Sequence, residues 1–277
     1  MNISAVIITY NEEKNILAAL ESVSWANEIV VIDSNSTDRT VQIATDQGAK
    51  VIVRDWPGFS DQKQFGVDAA AHNWIFSLDA DERVSPRLKE EIDTLRTSNP
   101  EADGYRIPRL SSYMGRWIHH SGWYPDRQLR LFDRRKGRWN GRQIHESVEM
   151  NTDSKVGELS FDIHHFGVEN AAEHHKMIGE RYAPLGARHM FDNGKTTSPL
   201  RVAAAGPLAF LRSYVFKLGF LDGFPGFCIA RFAAYHAYLK HLLLFEMQQS
   251  GMREAAHAVT TNEVPETSNQ ADLYRAK

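Results

Sequence analysis

Asn73-Trp-Ile-Phe-Ser-Leu-Asp-Ala-Asp-Glu82 predicts a buried strand that ends in three carboxylates within four positions. Residues 74–78 form an apolar, β-prone run of strand length. Carboxylates packed so closely repel one another unless water solvates them or a divalent cation binds them. The stretch therefore predicts a strand whose carboxyl end holds a metal ion. The alternative is a turn followed by an acidic helix start at Glu82-Arg-Val-Ser-Pro86.

Alternating strands and helices precede this stretch. Apolar β-branched runs predict strands at residues 4–9, 28–32 and 50–53, and apolar residues at helical spacing predict helices at 15–23 and 62–71. A further helix, capped by Ser36 or Thr37, is predicted to run through Ala44. Such alternation is typical of βα units, which form a parallel sheet with crossover helices. The predicted fold class is therefore α/β, with an open, mostly parallel sheet.

Polar side chains follow three of these predicted strands. Thr9 and Asn11 end the first, Asp33 ends the second, and Asp79 ends the fourth. Ligands bind at the carboxyl ends of strands in such sheets, so these residues predict a nucleotide site. Thr9 and Asn11 are placed for the base or ribose, and Asp33 for a further hydroxyl or the base edge. The alternative is that each serves only turn geometry, for which Asn, Asp and Ser are common.

Composition and net charge exclude several classes of protein. The chain has 277 residues, a formal net charge of -3 and a pI near 6.5, which argues against nucleic acid as a partner. Its single cysteine, Cys228, excludes an internal disulfide framework and suits a reducing compartment. The first residues carry no basic region followed by an apolar one, so no secretory signal is expected. The sequence predicts a cytoplasmic protein, or one attached to a membrane from the cytoplasmic side.

Residues 101–168 differ in composition from the preceding part of the chain and are rich in aromatic and basic side chains. Gly115–Asp126 combines tryptophan, tyrosine, histidine and arginine, and aromatic faces beside hydrogen-bonding groups suit a sugar. The alternative is a loop-rich surface with buried tryptophans. Further on, His145 and Glu146 form an ionisable pair in a β-like stretch. His164 and His165 are adjacent on a predicted strand, so only one of them can face a given site.

The C-terminal third is predicted to be helical. A helix is expected over residues 169–191, ended by Asp192-Asn-Gly194. Residues 198–245 are strongly apolar and carry five basic residues against one acidic residue. The apolar run Gly206–Leu221 has 16 residues, short of the roughly 20 that a membrane span needs, so an interfacial region is predicted. The alternative is a packing or dimerisation element. Residues 248–277 are expected to form a mobile tail.

Three motifs together resemble those of a known family. They are Ala5-Val-Ile-Ile-Thr-Tyr-Asn-Glu-Glu13, Ile29-Val-Val-Ile-Asp-Ser-Asn-Ser-Thr-Asp-Arg-Thr40 and Leu78-Asp-Ala-Asp-Glu82. In this order and spacing they resemble the nucleotide-sugar motifs of inverting family 2 glycosyltransferases, which have the GT-A fold. The later segments Gly122–Phe132, Ile144–Glu146 and Gly219–Gly226 are similar to the bacterial branch that adds glucose to the lipopolysaccharide inner core.

The resemblance implies a nucleotide-diphosphate sugar donor, uridine-linked, and a Mg²⁺ or Mn²⁺ ion. Asp81 would be the metal ligand, Asp79 a ribose or metal-shell contact, and His165 a further ligand. Glu146 would be the base that accepts the acceptor's proton, with Asp126 as the alternative. The implied donor contacts are Thr9, Tyr10, Asn11, Glu12, Asp33, Lys63, Asp79 and Ala80.

The resemblance also implies a division of the chain and a location. Residues 1–168 would be the catalytic domain, with the nucleotide-sugar half at about 1–100 and the acceptor half at about 101–168. Residues 169–247 would be the helical, membrane-interfacial region. A lipid-linked saccharide acceptor and the cytoplasmic face of the inner membrane are the expected partners.

Two other classes of protein fit parts of the pattern. A sugar nucleotidyltransferase also uses an α/β sheet, a metal and a nucleotide, but Tyr10-Asn-Glu-Glu-Lys14 stands where its glycine-rich, basic phosphate loop would be. A non-catalytic carbohydrate-binding protein would keep the aromatic residues. It would not need Asp79, Asp81 and a base together.

Overall fold

A computed structural model describes residues 1–98, 100–142, 146–168 and 170–261, the last eleven of these by their backbone alone. The chain forms two compact units. The first comprises Met1–Asn170 together with Lys217–Gly226. The second comprises Ala171–Phe216 and the chain from Phe227 onward. The sequence did not predict that a C-terminal segment returns to the first unit.

The first unit is built on one large sheet. Its strands are β1 Ile3–Thr9, β2 Glu28–Asp33, β3 Lys50–Val53, β4 Trp74–Asp79, β5 Glu82–Val84, β6 Gly104–Tyr113, β7 Arg116–Trp117, β8 Asp126–Asp133, β9 Gly137–Trp139, β10 Val148–Met150, β11 Val156–Glu158 and β12 Ile163–His165. The main order is β3-β2-β1-β4-β8-β6-β12-β5, with β7 and β11 pairing with β6, while β9 and β10 pair separately. The half β3-β2-β1-β4 is parallel, and β8 pairs antiparallel with both β4 and β6.

Four helices accompany this sheet: α1 Ile16–Ser22, α2 Thr40–Asp46, α3 Phe59–Ala69 and α4 Pro86–Thr97. Side chains alternate across a strand, so β1 feeds two apolar cores: Ile3 and Ile7 pack in one, and Val6 and Ile8 in the other. All seven residues of β1 are buried, as expected for a strand covered on both faces. Gly66 lets α3 approach the sheet closely, because a Cβ at this position would overlap the side chain of Val6.

The predicted strands and helices agree with those observed to within a few residues, with two corrections. Glu82 begins strand β5 rather than a helix, and α4 starts at Pro86 after Ser85, whose hydroxyl accepts a hydrogen bond from the backbone N–H of Leu88 at 3.3 Å. Helix α2 begins at Thr40, and neither Ser36 nor Thr37 caps it. Ser36 instead bonds to Asp33, which takes its hydroxyl away from any capping role.

The second unit is helical. Its helices are α5 Ala171–Lys176, α6 Ala183–Asp192, α7 Pro199–Leu211 and α8 Gly223–Thr261, the last starting in the first unit. The helix predicted over residues 169–191 is interrupted by a π-helical stretch at Met177–Tyr182, and a second π-helical stretch, Arg212–Phe216, follows α7. Helix α8 continues through residues 248–261 of the predicted tail, and residues 262–277 lie outside the described residues. In the part of the chain that is described, no helix combines the length and apolar character needed to cross a membrane.

Candidate functional site

The carboxyl ends of the parallel strands meet at one edge of the sheet. Thr9 at the end of β1 is paired in register with Asp33 at the end of β2, and Ile8 is paired with Asp79 at the end of β4. Three of the predicted donor-binding residues are therefore brought to a common edge. This is the position at which open α/β sheets bind ligands.

The loops after β1 and β2 are tied together by the predicted residues themselves. Asn11 has a left-handed backbone (φ 52°), a conformation that Asn tolerates, and its side-chain oxygen accepts a bond from the N–H of Thr37 at 2.8 Å. The N–H of Asn11 donates to the Ser36 hydroxyl at 2.8 Å. Asp33 is fully buried and accepts hydrogen bonds from Ser36 with both carboxylate oxygens. Asp33 thus shapes the loop, and its contact with a donor stays a prediction.

Three further predicted donor contacts, Tyr10, Glu12 and Ala80, differ in burial and in hydrogen bonding. The N–H of Glu12 donates to the hydroxyl of Thr40 at 2.8 Å, which links the first loop to α2. Tyr10 is half-buried, whereas Ala80 is 4% exposed and packs in the core between the two aspartates. Donor contacts by Tyr10, Glu12 and Ala80 stay predictions.

Asp79 lies between two buried cations. Nζ of Lys63, on α3, is 3.1 Å from Oδ1 of Asp79, and Nη2 of Arg130, on β8, is 3.0 Å from Oδ2. Both cationic side chains are only 4% exposed. Burial alone would raise the pKa of Asp79, but the charges of Lys63 and Arg130 outweigh burial and hold that pKa well below its ordinary value. Asp79 is therefore ionised and held in one orientation.

The ion pairs continue beyond Asp79 in both directions. Arg130 also contacts Glu82 at 2.7 Å, Glu82 contacts Arg109 at 3.2 Å, and Arg109 contacts Asp126 at 2.6 Å. On the other side, Lys63 is 3.6 Å from Oε1 of Glu146. We call the series Glu146, Lys63, Asp79, Arg130, Glu82, Arg109 and Asp126 the ion-pair chain. The two candidate bases, Glu146 and Asp126, lie at its opposite ends.

Arg130 and Arg109 were not predicted as site residues. Arg130 is buried within the otherwise apolar stretch Leu129–Phe132 of β8. Burying a charged side chain costs free energy unless an opposite charge pairs with it, so a carboxylate partner is expected. Burial by itself would lower the pKa of Arg130, but Glu82 and Asp79 raise it above its ordinary value. An arginine inside an apolar strand was the available signal, although it does not reveal which carboxylate it meets.

Asp81, two residues after the end of β4, and His165, on β12, are brought together. Nε2 of His165 is 3.5 Å from Oδ2 of Asp81, and Nδ1 of His165 is 3.0 Å from the hydroxyl of Ser111. The neighbouring His164 faces the opposite way and stacks on Trp117 at 4.4 Å between ring centroids. Asp81 and His165 are both partly exposed, so a bound ligand can reach them.

This pair fits a divalent cation that is completed by its ligand. Among the described residues no group of three or more His, Cys, Asp or Glu side chains is placed to hold a metal. Mg²⁺ in nucleotide sites is typically bound through one or two protein ligands, with phosphate and water oxygens in the remaining positions. Asp81 and His165 provide that number of ligands, while both oxygens of Asp79 face cations.

The predicted acceptor region contains half-buried aromatic rings. Trp117 lies against Phe166 at 5.5 Å, and Trp123 lies against the fully buried Tyr113 at 5.7 Å. The hydroxyl of Tyr124 donates to Asp162 at 3.0 Å. Glu146 is described and precedes β10, whereas His145 and the two residues before it lie outside the described residues.

Comparison with known proteins assigns the chain to a family. The profile described as Glycosyl transferase family 2 matches residues 4–152. The lipopolysaccharide core biosynthesis glycosyltransferase LpsC of Rhizobium meliloti is 30% identical over 253 residues, 88% of this chain and 92% of that protein. An uncharacterised glycosyltransferase of Rickettsia typhi is 30% identical over 255 residues, covering 88% and 87%. The structure of S. aureus TarS 1–349 in complex with UDP-GlcNAc is 15% identical, covers 91% of this chain and 92% of that one, and has a TM-score of 0.45.

The family profile and the two sequence relatives agree with the architecture, and the predicted fold class is confirmed. The α/β sheet with its parallel half and crossover helices is the GT-A arrangement that the resemblance implied. The predicted enzyme class, a glycosyltransferase, is confirmed as well. The family profile covers the strand ends that carry Thr9, Asp33, Asp79 and Asp81, and it also covers Glu146. The chain belongs to glycosyl transferase family 2.

Proposed function

We propose that this glycosyltransferase moves a hexose, glucose, from a uridine-diphosphate sugar to a lipid-linked saccharide of the lipopolysaccharide inner core, with inversion. The observation that carries the proposal is the shared contact of Lys63 with Asp79 and Glu146, because it joins a carboxylate base to the donor end of the sheet. The name of the relative LpsC, a lipopolysaccharide core biosynthesis enzyme, supports the choice of acceptor.

Asp81 and His165 would hold the divalent cation, Mg²⁺ or Mn²⁺, in this proposal. Their 3.5 Å separation allows both to reach one ion, and Ser111 orients the imidazole through its other nitrogen. When bound, such an ion stabilises the negative charge of a departing nucleotide diphosphate. Asp79 is directed at Lys63 and Arg130, so its role is to hold these cations beside the donor rather than to bind the metal.

Glu146 is the base that the geometry favours. Asp126 has both carboxylate oxygens engaged: Oδ2 accepts from Nε and Nη2 of Arg109 at 2.9 and 2.6 Å, and Oδ1 accepts from Gln128 at 2.7 Å. Glu146 has its cation at the longer distance of 3.6 Å. The side chains of Glu146 and Asp126 are 26% and 34% exposed, so exposure does not separate them. A base must meet the acceptor hydroxyl within hydrogen-bonding distance, which is easier for the less tightly bonded carboxylate.

The proposed reaction is a single displacement. The acceptor hydroxyl oxygen forms a bond to the anomeric carbon while Glu146 takes its proton. The bond from that carbon to the diphosphate oxygen breaks, and the electron pair leaves with the nucleotide diphosphate. Lys63, in contact with Glu146 and Asp79, orients the base before transfer.

We also propose that residues 198–245 hold the enzyme at the cytoplasmic face of the inner membrane. In the second unit Leu200, Leu208 and Phe216 are 80%, 63% and 78% exposed. The exposed basic residues Arg201 and Arg212 lie in the same stretch. Apolar side chains with basic neighbours suit the headgroup region of an anionic membrane, where a lipid-linked acceptor is presented.

A donor screen tests the proposed reaction. The purified full chain is incubated with UDP-glucose, other nucleotide sugars and Mg²⁺ or Mn²⁺, with and without lipopolysaccharide truncated in its inner core, and released nucleotide diphosphate is measured. Acceptor-dependent release of UDP from UDP-glucose is expected. Release that never depends on acceptor, from any donor, contradicts the proposal. Membership in a glycosyltransferase family decides against the nucleotidyltransferase and the non-catalytic alternatives.

A further inference from the structure

Lys217–Gly226 belongs to the first unit, although most of the chain around it belongs to the second. We call this segment the returning loop. It contains Gly219–Gly226, one of the segments similar to the lipopolysaccharide branch of the family, and none of its residues has a role in the proposed displacement. Its only acidic residue, Asp222, is 2% exposed. A buried carboxylate is costly unless it is hydrogen-bonded, so its partners indicate what the loop does.

Asp222 receives hydrogen bonds from two successive histidines. The backbone N–H groups of His119 and His120 donate to its carboxylate at 3.2 and 2.9 Å, and Nδ1 of His120 lies 2.9 Å from Oδ1. An ionised carboxylate can only accept, so Nδ1 of His120 carries the proton. A further bond, from the N–H of Ser121 to the carbonyl of Lys217 at 2.9 Å, ties the same two segments together. Asp222 therefore fixes both the backbone and the imidazole of His120.

The other ring nitrogen of His120, Nε2, is available to bind a ligand. The side chain of His120 is 30% exposed, and no group in the described ranges of the chain is hydrogen-bonded to its Nε2. His165 differs, because Ser111 and Asp81 lie beside its two ring nitrogens. A histidine whose Nδ1–H is held by a buried carboxylate presents Nε2 in a fixed direction, as in metal and catalytic sites.

The segment that carries His120 is linked to the metal-side residues. The N–H of Ile118 donates to the carbonyl of Ser111 at 3.0 Å, and the hydroxyl of Ser111 contacts His165. Arg116 is exposed and donates to the carbonyl of Leu221 in the returning loop at 3.2 Å. His120 therefore lies in the aromatic and basic region predicted for the acceptor, on a segment anchored beside the proposed metal pair.

We propose that His120 binds the saccharide acceptor, with its Nε2 accepting a hydrogen bond from a hydroxyl group of that saccharide, and that Asp222 of the returning loop positions it. This inference rests on the proposed function, because it assigns residues to the acceptor of that reaction. His120 takes no part in donor binding or in the displacement itself. Its loss therefore affects the Michaelis constant for the acceptor and leaves the donor untouched.

Two substitutions separate acceptor binding from a purely structural pair. His120→Asn places an amide nitrogen where Nδ1 was, which keeps a donor for Asp222 and removes Nε2. His120→Gln can place its side-chain oxygen, an acceptor like the unprotonated Nε2, near the former Nε2 position, and it gives up the short contact with Asp222. His119→Asn is the matched control, because the backbone N–H that serves Asp222 is kept and the ring, packed on Tyr124 at 5.5 Å, is exposed.

The variants are assayed as full chains with UDP-glucose and inner-core-truncated lipopolysaccharide, alongside hydrolysis of UDP-glucose in the absence of acceptor. For His120→Asn we expect the KM for the acceptor to rise about 3- to 10-fold, because one hydrogen bond to the acceptor is lost. Donor hydrolysis and the unfolding temperature should not change. His120→Gln should unfold at a lower temperature and show a smaller rise in KM. Asp222→Asn should raise the KM and lower the unfolding temperature. His119→Asn should match the unsubstituted protein.

An acceptor KM for His120→Asn equal to that of the unsubstituted protein overturns the inference, and so does an equal change in donor hydrolysis and acceptor KM. In either case the pair is structural and the proposed function stands. Absence of acceptor-dependent transfer by the unsubstituted protein, with any donor, is a different result. It overturns the proposed function, and this inference with it.

Discussion

Nζ of Lys63 lies 3.6 Å from Oε1 of Glu146, and the same ammonium group lies 3.1 Å from Asp79. One buried cation is thus shared by the candidate base and by the carboxylate at the end of β4. Lys63 is 4% exposed, so water screens these contacts less than it would at the surface. A change at Lys63 is therefore expected to affect both carboxylates.

Glu146→Gln should reduce transfer strongly while leaving donor binding close to normal. The amide cannot accept the acceptor's proton, and loss of a general base lowers turnover on the order of a hundredfold to ten-thousandfold. Donor binding is measured by titration with UDP, and turnover by release of UDP with acceptor present.

Asp126→Asn is the control for the choice of base. Because Arg109 contacts this carboxylate through Nε and Nη2, the substitution should mainly lower stability and change turnover of the folded protein little. If Asp126→Asn is inactive while folded and Glu146→Gln is nearly silent, the base is Asp126.

Asp81→Asn should remove nearly all transfer, at least about a hundredfold, because a neutral amide cannot replace a carboxylate on a divalent cation. The fold should survive, since Asp81 is partly exposed at the end of a strand. Turnover is measured at saturating Mg²⁺ and Mn²⁺, and the fold by circular dichroism. Near-normal turnover by the folded variant would refute the metal assignment.

Glu82→Gln should destabilise the protein by about 3–5 kcal/mol. Glu82 is fully buried between Arg130 and Arg109, and its other oxygen accepts the N–H of Asp79 at 3.0 Å. Removing its charge leaves two cations with one carboxylate partner fewer each. Urea denaturation measures the loss in the free energy of unfolding.

Glu149→Gln is the matched control for Glu82→Gln. The ion pair of Glu149 with Arg142 has side chains that are 57% and 65% exposed, and such surface pairs contribute about 0–1 kcal/mol. Equal destabilisation by the two substitutions would show that the buried part of the ion-pair chain contributes no more than a surface pair.

The sequence predicts local features of this fold well. The strand at residues 50–53 has the observed bounds, Lys50–Val53, because strand signals are carried by neighbouring residues. The sequence also predicts that His164 and His165 face opposite sides of their strand, which follows from strand geometry alone. In the structure His164 faces Trp117 and His165 faces Asp81.

The sequence does not predict contacts that depend on how distant strands pair. Arg130 reaches Asp79 and Glu82 because β8 lies beside β4, and Arg109 reaches Glu82 because β6 and β5 both pair with β12. Local hydrophobic periodicity predicts neither of these strand pairings. The π-helical stretch Met177–Tyr182 has no sequence signal that we recognise, and the contact of Asp222 with His120 joins segments a hundred residues apart.

Stability should fall in mild acid, partly because of His174 in the second unit. Burial lowers the pKa of His174 from 6.5 to about 4, and its ring stacks on Phe232 at 4.2 Å. Between these two pH values the unfolded chain binds a proton that the folded chain does not, so stability decreases as pH falls from 6.5 to 4. Above 6.5 the neutral ring contributes fully, and below about 4 this residue causes no further loss.

His174→Phe keeps an aromatic ring against Phe232 and removes the titrating group. The unfolding temperature of this variant should depend less steeply on pH between 4 and 6.5 than that of the unsubstituted protein. Burial also lowers the pKa of His236, so the slope should decrease without disappearing. Identical pH dependence of the two proteins contradicts the assignment to His174.

Arg212→Glu with Lys217→Glu should weaken binding to anionic liposomes, because each basic residue near such a surface contributes about 1 kcal/mol. Both residues are exposed and lie beside Phe216, which is 78% exposed. Salt should weaken attachment without abolishing it, since apolar insertion is not screened. The control, Arg138→Glu with Lys155→Glu, makes the same charge change at exposed positions outside residues 198–245. Equal co-sedimentation of the two variants, or no binding by the unsubstituted chain, would leave these helices as a packing or dimer interface.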